Sequence, residues 1–502
     1  MILRDLLAAV DHRSVRGATD REVSGLALDS RRVKPGDAFF ALPGVNADGA
    51  RFARAAVESG AVAVFGQGLP EAPGATRVEV DEPRLALAQA ACRYHGSPSQ
   101  LLQVVAVTGT NGKTTTTYLI EAIVIAAGRR AGVIGTTGVR LAGETLPSAF
   151  TTPESPDLQS LLALMRGAGV ATVALEASSH ALVQRRTWGL ACDVCVFTNL
   201  TQDHLDYHGT MDRYLDAKLM LFDGRNGGAG KRTVALVNAD DPHAEAVVAA
   251  AERGGQRVRR FGSTEAVGAH EGVALAAIEP RPDGMALVFR ERLDGVVREQ
   301  ACVLPMLGRF NAWNAAGAFA AARALGLDAT TAAQGLEQSQ GVPGRLERVR
   351  AGQPFELVVD YAHTPDALAA VLADARRIAG GARVIAVFGC GGDRDRAKRP
   401  LMGAAAGAQA DIVVLTTDNP RSEDPAAIAA EVERGLRDGA ARYEVVLDRR
   451  AAIARAVEIA APGDVVVVAG KGHESGQTVG STTTPFDDRV VARSLLEGAS
   501  CA

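Results

Sequence analysis

The sequence predicts an α/β fold in three domains. Runs of strand-type apolar residues alternate with helical patterns along nearly the whole chain, as in "FARAAVESGAVAVFG", where a helix, a Gly break and a short strand are expected. This alternation is typical of layers built on mostly parallel sheets. The chain has 502 residues, which is too long for one hydrophobic core. Two polar stretches that contain both Gly and Pro, "YHGSPSQ" and "SQGVPGRLERV", are candidate boundaries, and they divide the chain into residues 1–97, 98–343 and 344–502.

Composition and charge indicate an ordinary globular protein. Hydrophobic residues make up 47% and charged residues 22% of the chain, and the formal net charge is −4. Because there is no excess of positive charge, we expect no nucleic acid and no acidic membrane surface among its partners. The N-terminal "MILRDLLAAVDHR" carries charges within its apolar stretch, unlike a signal peptide, and no uncharged apolar run reaches the roughly 18 residues of a membrane span. We therefore expect no membrane insertion.

The cysteines favour a reducing environment. Six cysteines do not make a disulfide framework in a chain of this length, so we expect a cytoplasmic location. Cys192 and Cys195 form an isolated CxxC without a second pair. We interpret this motif as part of a buried strand rather than as a zinc or redox site.

A glycine-rich loop joins a predicted strand to a predicted helix within "VAVTGTNGKTTTTYLIEAI". The strict phosphate-loop signature requires Gly five residues before the Gly-Lys pair, where this chain has Val107, but a shorter version remains: Gly109, Thr110, Asn111, Gly112, Lys113, Thr114 and Thr115. Glycines let backbone N–H groups turn towards an anion, and the helix N-terminus is positive. Lys113 would reach the terminal phosphates, and the Thr114 hydroxyl would face Mg²⁺. The loop predicts a nucleoside triphosphate, but by itself it does not distinguish a ligase from a switch, a motor or a kinase.

Two further predicted strands end in acidic and imidazole groups. "VATVALEASSHAL" leads to Glu176, and "CDVCVFTNLTQDHLDYHG" leads to Asn199 and then to four more polar residues: Asp203, His204, Asp206 and His208. Ligands of open parallel sheets bind beyond the carboxyl ends of the strands, so both groups should lie at the same edge as the phosphate loop. A carboxylate and a neutral imidazole suit Mg²⁺ beside phosphate oxygens, and we favour Glu176 and His204 as ligands. For Asp203 and Asp206, a helix cap or a solvated loop is the favoured interpretation, and a two-metal hydrolase is a weak alternative.

The third domain places charges of both signs after three predicted strands. "FGCGGDRDRAKRP" delivers Asp393, Arg394 and Asp395; "TTDNPRSED" delivers Asp418, Asn419 and Arg421; "AGKGHESG" delivers Gly470, Lys471, His473 and Glu474. Arg binds carboxylate in a bidentate way, and Asp or Glu binds ammonium, so a small zwitterion would fit this edge. Ion pairs that merely cap the sheet are the alternative.

These motifs together resemble the Mur ligases. "GTNGKTT", "EASSH", "NLTQDHLDYHG", "GRFNAWNA", "DYAHTPDAL", "FGCGGDRDRAKRP", "DNPR" and "GKGHE" stand in that family's order, and "LDSRRVKPGDAFFALPG" extends the resemblance to the first domain. It implies a central phosphate-loop ATPase-type parallel sheet, flanked by an N-terminal α/β substrate domain and a C-terminal Rossmann-like domain. It also implies peptidoglycan precursor synthesis, with ATP as co-substrate and Mg²⁺ as cofactor. A carboxylate attacks the γ-phosphate, and an amine then displaces phosphate from the acyl phosphate.

By matching position, the resemblance implies roles for individual residues. A UDP-N-acetylmuramoyl dipeptide would be held by Ser30, Thr151, Thr152, Ser178, Gln184 and Arg186. Phe150 stands where some relatives carry Asn. ATP would contact the phosphate loop and also Asn311, Arg345, Asp360 and His363. Asn before an apolar helix is also a routine N-cap, and this alternative stays open for Asn311. Because three of these residues belong to the third domain, we predict that this domain closes on binding.

The resemblance further implies a modified lysine. Lys218 in "YLDAKLMLF" matches a lysine that CO₂ converts to a carbamate, which could help to order a second Mg²⁺. A bare lysine on such a helix would usually be solvated. The implied metal ligands are then Thr114, Glu176, His204 and carbamylated Lys218, and the implied catalytic residues are Lys113, Glu176, His204 and Lys218.

The incoming amino acid implied by the resemblance is meso-diaminopimelate. Its site would consist of Arg394, Asp418, Asn419, Pro420, Arg421, Gly470 and Glu474. Arg421 would bind the distal carboxylate that L-lysine lacks, and Glu474 the distal ammonium. Alternatives are the same reaction with L-lysine, a folate-type polyglutamate ligase, and a non-catalytic nucleotide-binding sensor of wall precursors. We expect a monomer that binds only small molecules.

Overall fold

The computed structural model of this protein describes residues 1–44, 48–141, 143–146, 148, 150–228, 230–281 and 283–499. Three β-sheets of five, eleven and six strands follow one another along the chain, and a two-stranded ribbon accompanies the last of them. The predicted α/β architecture is confirmed. The boundary residues proposed between the domains stay a prediction. Within the described residues, no helix is long and apolar enough to cross a bilayer.

The first sheet is small and mostly parallel. Its strand order is β1-β5-β4-β3-β2, and only β1 runs antiparallel to its neighbour. The predicted helix, Gly break and strand are present as α2 and β4. The elements are α1 (Leu3–Leu7), β1 (Ser14–Arg16), β2 (Gly25–Ala27), β3 (Asp37–Phe40), α2 (Ala53–Glu58), β4 (Ala63–Gly66), β5 (Thr76–Glu79) and α3 (Pro83–His95).

The eleven-stranded sheet forms the centre of the molecule. Its elements are β6 (Gln103–Thr108), α4 (Lys113–Ala126), β7 (Ala131–Gly135), β8 (Gly138–Leu141), β9 (Glu144–Leu146), α5 (Ser155–Gly167), β10 (Thr172–Glu176), α6 (Ser179–Val183), β11 (Val194–Phe197), α7 (Leu205–His208), α8 (Met211–Leu219), β12 (Val234–Asn238), α9 (Ala244–Arg253), β13 (Arg257–Ser263), α10 (Thr264–Val267), β14 (Gly272–Arg281), β15 (Gly284–Leu293), β16 (Val296–Leu304), α11 (Phe310–Ala324) and α12 (Ala329–Glu337). The strand order is β16-β15-β14-β13-β12-β11-β6-β10-β7-β8-β9.

The central strands β6, β10 and β11 of this sheet are apolar on both faces because helices cover both. Val105 and Val107 of β6 belong to a core that α4, α11 and α12 close, whereas Val104 and Ala106 belong to a core on the opposite face. Successive side chains of a strand point to opposite faces, so a continuous apolar run is required here. The structure also confirms that the CxxC motif belongs to a buried strand region. Cys195 lies in β11, Cys192 is buried just before it, and both are free thiols.

The third sheet is parallel except for its first strand. Its elements are β17 (Glu347–Arg348), β18 (Glu356–Asp360), α13 (Pro365–Ala379), β19 (Val384–Phe388), α14 (Lys398–Gln409), β20 (Ile412–Leu415), α15 (Pro425–Leu436), β21 (Arg442–Val445), α16 (Arg449–Ile459), β22 (Val465–Ala469), β23 (Gly476–Val479), β24 (Thr482–Pro485) and α17 (Asp488–Ala499). The strand order is β17-β18-β22-β19-β20-β21, and β23 pairs with β24. The carboxyl ends of β18, β22, β19 and β20 are therefore neighbours.

A fully buried ion pair joins two helices of the third domain. The Arg449 guanidinium at the start of α16 donates to both Asp488 oxygens at 2.7 and 2.6 Å, and both side chains are 0% exposed. Arg449 also donates to the carbonyls of Thr417 and Ala469 at 3.3 and 3.0 Å. Burial of the guanidinium opposes ionisation, but Asp488 outweighs it and raises the pKa of Arg449.

Removing one partner of this pair should destabilise the third domain strongly. Asp488→Ala leaves a buried, uncompensated guanidinium, which costs about 3–5 kcal/mol. Hydrogen–deuterium exchange should therefore accelerate in β22, the strand that Arg449 contacts through Ala469. Arg455→Ala is the matched control on the same helix, because its ion pairs with Glu444 and Glu458 are exposed and worth about 1 kcal/mol or less. Equal exchange in both variants would contradict the prediction.

Candidate functional site

The phosphate loop lies at the carboxyl end of β6, in the middle of the central sheet. Helix α4 begins at Lys113 with Gly112 as its N-cap, so the first N–H groups of the helix are left without partners inside the helix. Gly112 has φ +85°, and a Cβ there would lie 2.3 Å from Asn314 Oδ1. Lys113 Nζ donates to the carbonyls of Gly109 and Thr110, each at 2.8 Å. The predicted strand, loop and helix are therefore present.

Residues after β11 hold the loop in shape. Asn199 accepts the Thr110 N–H through its carbonyl at 2.8 Å and the Asn111 N–H through Oδ1 at 2.9 Å. Thr198 Oγ1 donates to the Asn111 carbonyl at 2.6 Å. These bonds direct the N–H groups of Thr110 and Asn111 to the protein and leave those at the start of α4 for an anion. The sequence indicated Asn199 only as a strand end.

Glu176 stands at the end of β10, directly beside β6. The side chain is 1% exposed, and both carboxylate oxygens are bound by Thr136: Oε1 accepts the Thr136 N–H at 2.8 Å, and Oε2 accepts its hydroxyl at 3.1 Å. Burial lowers the pKa of the Lys113 ammonium, while the charges of Glu176 and Asp203 act against that shift. The structure thus brings Lys113 and Glu176 into one electrostatic neighbourhood, as predicted from the strand ends.

His204 lies in a cluster of rings beyond β11. It adopts a left-handed backbone conformation (φ +54°), and its ring is 4.8 Å from that of His180, measured between centroids. Burial lowers the pKa of His204 to about 4, so the imidazole is neutral at pH 7. His208 Nε2 contacts Ser179 Oγ at 2.9 Å, and burial likewise lowers the pKa of His208 to about 4. A neutral imidazole is the form that binds a metal.

The two aspartates of the same segment differ from one another. Asp203 accepts the His204 N–H at 2.9 Å and lies 3.4 Å from its Nε2, whereas Asp206 is part of α7. Burial opposes ionisation of Asp203. Nearby groups that are positively charged when protonated, His204 first and then His363 and Lys113, outweigh burial and lower the pKa of Asp203. Within the described ranges, no group of three or more His, Cys, Asp or Glu side chains is placed to hold a metal ion.

Lys218 is buried, although a lysine at its helical position would usually be solvated. The side chain is 1% exposed on α8, and Nζ lies 4.3 Å from the centre of the Tyr214 ring. Burial, with a smaller effect of Lys113, lowers the pKa of Lys218 well below its ordinary value. This shift raises the share of the neutral amine, which is the nucleophilic form, at any given pH.

A cavity of about 530 Å³ opens beside the phosphate loop, and we call it the apolar cavity. The central domain and the third domain both line it. Its lining includes Asn111, Gly112, Thr114, Thr115, Phe261, Trp313, Asn314, Arg345, Asp360, Tyr361 and His363.

Asn311 is fully buried and does not line the apolar cavity. Its Nδ2 donates to the Leu307 carbonyl at 2.7 Å, and its Oδ1 accepts from Asn314 at 2.9 Å. The N-cap alternative for Asn311 is wrong, since α11 has Arg309 as its N-cap. Asn314, which the sequence analysis missed, faces the cavity instead. The i, i+3 spacing of the two asparagines in "NAWN" was a usable signal, because it places them on one face of a helix.

The third domain contributes one wall of the apolar cavity. Asp360, at the end of β18, accepts the N–H groups of Leu346 and Ala362, both at 2.7 Å. The Arg345 guanidinium lies over the Tyr361 ring, 4.7 Å from its centroid. Burial raises the pKa of Asp360 and lowers that of His363. Arg345, Asp360 and His363 thus share one cavity with the phosphate loop. The predicted closure of the domain stays a prediction.

A second cavity of about 590 Å³, which we call the charged cavity, lies on the other side of this wall. Tyr361, His363 and Asp366 line both cavities. Six of the seven residues predicted for the amino acid line the charged cavity: Arg394, Asp418, Asn419, Arg421, Gly470 and Glu474. Pro420 is buried between two of them and is not part of the lining. Its wall also includes His180, His204 and Lys398, whose contribution the sequence analysis did not foresee.

Charges of both signs face each other across the charged cavity. Arg421 adopts a left-handed conformation (φ +49°) and donates through one NH group to the Gly392 carbonyl at 2.6 Å. Gly470 has φ +116°, and a Cβ there would lie 2.8 Å from Asp418 Oδ2. Burial raises the pKa of Asp418, while Arg449 and Lys471 counteract that effect. The arrangement suits a ligand that carries both carboxylate and ammonium groups.

Four of the residues predicted for the nucleotide-linked dipeptide form one network. Arg186 donates to the Thr152 carbonyl at 3.0 Å and to Gln184 Oε1 at 2.7 Å. The Ser178 N–H donates to Thr152 Oγ1 at 3.2 Å. Thr151 joins Thr136 through their hydroxyls at 3.1 Å. Ser30 lies apart from this network, on a short 3₁₀ turn (Ser30–Arg32) of the first domain.

Comparisons with known proteins agree with this geometry. Three family profiles match: "Mur ligase family, catalytic domain" at residues 22–95, "Mur ligase middle domain" at 107–322, and "Mur ligase, glutamate ligase domain" at 344–472. A Solibacter usitatus protein named UDP-N-acetylmuramoyl-L-alanyl-D-glutamate--2,6-diaminopimelate ligase is 46% identical over 481 residues, covering 95% of this chain and 94% of the relative. A protein of the same name from Syntrophomonas wolfei is 44% identical over 491 residues, covering 96% of each.

A solved structure gives the same result. It is titled "Structure of UDP-N-acetylmuramoyl-L-alanyl-D-glutamate--2, 6-diaminopimelate ligase", and it is 34% identical with a TM-score of 0.70. The match covers 100% of this chain and 99% of the other. The similarity therefore extends over all three sheets, and the chain belongs to the Mur ligase family.

Proposed function

We propose that this chain is an ATP-dependent ligase that joins meso-2,6-diaminopimelate to UDP-N-acetylmuramoyl-L-alanyl-D-glutamate in peptidoglycan precursor synthesis. The observation that carries the proposal is the shared wall of Tyr361, His363 and Asp366. It places a phosphate-loop cavity and a cavity with charges of both signs back to back. The names of relatives at 46% and 44% identity support the same reaction. A cytoplasmic location and a monomeric state stay predictions.

The reaction would proceed through an acyl phosphate. A carboxylate of the substrate's glutamate attacks the γ-phosphorus of ATP, and ADP leaves. The amine of the amino acid then attacks the acyl carbon, and inorganic phosphate leaves as the amide forms. Lys113 and the N–H groups at the start of α4 neutralise the transferring phosphoryl group. Positioning and charge neutralisation supply most of the catalysis in phosphoryl transfer.

The donor set around the loop fits Mg²⁺. Glu176 is a buried carboxylate whose oxygens keep free lone pairs beside Thr136, and His204 is a neutral imidazole. Mg²⁺ prefers few protein ligands and keeps waters and phosphate oxygens. Glu176, His204 and Thr114 would hold it, and carbamylated Lys218 would add an anionic ligand. When bound, the metal supplies charge neutralisation at phosphate oxygens.

The charged cavity would distinguish diaminopimelate from lysine. Diaminopimelate carries a carboxylate and an ammonium at its distal end, whereas lysine carries only an ammonium there. Arg421 and Arg394 are the cations available for the extra carboxylate, and Glu474 is available for the ammonium. Preference for diaminopimelate would then come from a charge-assisted bond that lysine cannot make.

Arg421→Ala should raise the KM for diaminopimelate about 10- to 100-fold, because a hydrogen bond to a charged group contributes about 1.5–3 kcal/mol. The kcat should change less, and activity with L-lysine should stay low. Steady-state phosphate release measures all three. Arg396→Ala is the matched control, since Arg396 is an exposed arginine that does not line the charged cavity, and its loss should alter KM less than about twofold. An unchanged KM in Arg421→Ala would remove Arg421 from the site.

The proposed function itself is tested by product formation. Enzyme, ATP, Mg²⁺ and the UDP-linked dipeptide are incubated with meso-diaminopimelate or with L-lysine, and phosphate release and product mass are read from the same samples. A tripeptide product only with diaminopimelate is the expected result. A product only with lysine would keep the ligase and overturn the role of Arg421. ATP binding without any product would favour a non-catalytic sensor.

A further inference from the structure

A lysine of the third domain lies behind the charged cavity without lining it. Lys471 is 0% exposed, at the end of β22. Its ammonium donates to Asn419 Oδ1 at 3.1 Å and to Glu474 Oε2 at 3.2 Å, and it lies 3.8 Å from Asp418 Oδ1. All three of these partners line the charged cavity, so one buried cation contacts its polar wall from the inside.

The contacts of Lys471 fix the orientation of the Asn419 amide. Oδ1 of Asn419 accepts from Lys471 and also from the Thr478 N–H at 2.9 Å, so this atom must be the oxygen. Nδ2 is then left to donate to Glu474 Oε2 at 2.8 Å. Glu474 Oε2 therefore receives two donors from the protein. Both of these donors bind Oε2, so Oε1 is the Glu474 oxygen that is available to a ligand.

Lys471 also places a positive charge beside the carboxylates of Asp418 and Glu474. Two carboxylates near each other repel unless a cation lies close to both. The neighbouring Arg449 is already paired with Asp488 through two short bonds. Arg421 and Arg394 would instead bind a carboxylate of the ligand. Lys471 is thus a cation that lies close to both Asp418 and Glu474 in the cavity wall.

We propose that Lys471 is a positioning residue that orients Asn419 and Glu474 and places a positive charge beside Glu474 and Asp418, and so makes the charged cavity select an amino acid with a distal ammonium. The inference rests on the proposed function and adds a determinant of its specificity. Without Lys471, Glu474 loses one donor and its counter-charge, and the Asn419 amide is free to turn over. The arginines that bind the distal carboxylate are untouched.

The test compares two amino-acid substrates. One is meso-diaminopimelate, and the other is L-2-aminopimelate, which keeps the distal carboxylate but has hydrogen in place of the distal ammonium. The wild-type enzyme should prefer diaminopimelate in kcat/KM by about 100-fold, on the order of a charge-assisted bond and its desolvated partner. Lys471→Met should lower this preference at least about tenfold, through loss of activity with diaminopimelate alone. The KM values for ATP and the UDP-linked dipeptide should not change.

Further variants separate charge from folding. Lys471→Gln keeps a donor for Asn419 but has no charge, so it should also lose preference, and it replaces Lys471→Met if that protein does not fold. Lys34→Met, at an exposed position of the first domain, is the control for loss of a lysine. Equal losses with both substrates would show a purely structural role and overturn the inference. So would a wild-type enzyme that uses both substrates equally well. Failure of the wild-type enzyme to form product with any amino acid would instead overturn the proposed function.

Discussion

Lys113→Ala should lower kcat for amide formation about 1,000-fold. Lys113 is the cation at the start of α4, and its ammonium is held by the Gly109 and Thr110 carbonyls at the site where phosphate would bind. A preorganised positive group that faces developing charge contributes about 10²–10³ in rate, and cations in phosphoryl transfer contribute 10³ or more. Burial lowers the pKa of Lys113, but Glu176 and Asp203 act against the shift. We expect the negative charge of a bound triphosphate to favour the ammonium form of Lys113.

The measurement is single-turnover formation of ADP, which isolates phosphoryl transfer from later steps. Arg129→Ala is the matched control, because it removes an exposed cation just beyond the other end of α4, about 20 Å away along a helix of 14 residues. That variant should retain wild-type rates. If Lys113→Ala formed ADP within tenfold of the wild-type rate, the loop would not act on the γ-phosphate.

Lys218→Ala should lower kcat about 100- to 1,000-fold, and its activity should not respond to bicarbonate. The wild-type enzyme should lose activity in CO₂-free buffer and regain it when bicarbonate is added. The chemistry is that the neutral amine of Lys218 adds to CO₂, a C–N bond forms, and one proton is released. Burial makes the neutral amine accessible by lowering the pKa of Lys218. Removal of one anionic metal ligand from such a site should lower the rate about as much as removal of one hydrogen-bond donor to the transition state.

The pH dependence of this effect has a definite sign. Because carbamate formation consumes the neutral amine and releases a proton, occupancy rises with pH and is lost on acidification. The concentration of dissolved CO₂ needed for half-maximal activity, determined at each pH, should therefore fall as pH rises from about 7 to about 9. Carbon-13 NMR with labelled bicarbonate checks the modification directly. Lys34→Ala should show the same bicarbonate response as the wild type, whereas a wild-type enzyme indifferent to bicarbonate would exclude the carbamate.

The arrangement of strand ends could be predicted from the sequence. Apolar runs identified β6, β10 and β11, and the rule for carboxyl ends of parallel strands brought their terminal residues together. The order β11-β6-β10 in the sheet confirms that expectation. The third domain followed in the same way from β19, β20 and β22. In each case the information is local, because the strand and the polar residues that follow it are contiguous in the chain.

Contacts between distant side chains could not be predicted in this way. Thr136 binds both oxygens of Glu176 across 40 residues, and nothing in the sequence near Thr136 indicates it. Burial of Lys218 beneath Tyr214 depends on how α8 packs, and the pattern of the helix alone suggested a solvated lysine. The N-cap interpretation of Asn311 failed because α11 begins two residues earlier than its capping pattern suggested. The packing of helices, strands and loops against one another determines all three features.

The wall shared by the two cavities has a consequence for inhibitor design. A molecule that fills the apolar cavity and a molecule that fills the charged cavity would both contact Tyr361, His363 and Asp366. A short tether around this wall, built on a tetrahedral phosphorus group, would join them into one bisubstrate compound. The second binding event would then be intramolecular, and avidity could exceed that of either fragment by about 10²–10⁴. Selectivity would come from the diamino acid end, because many ATP-binding proteins offer a nucleotide pocket but not a neighbouring site for a zwitterion.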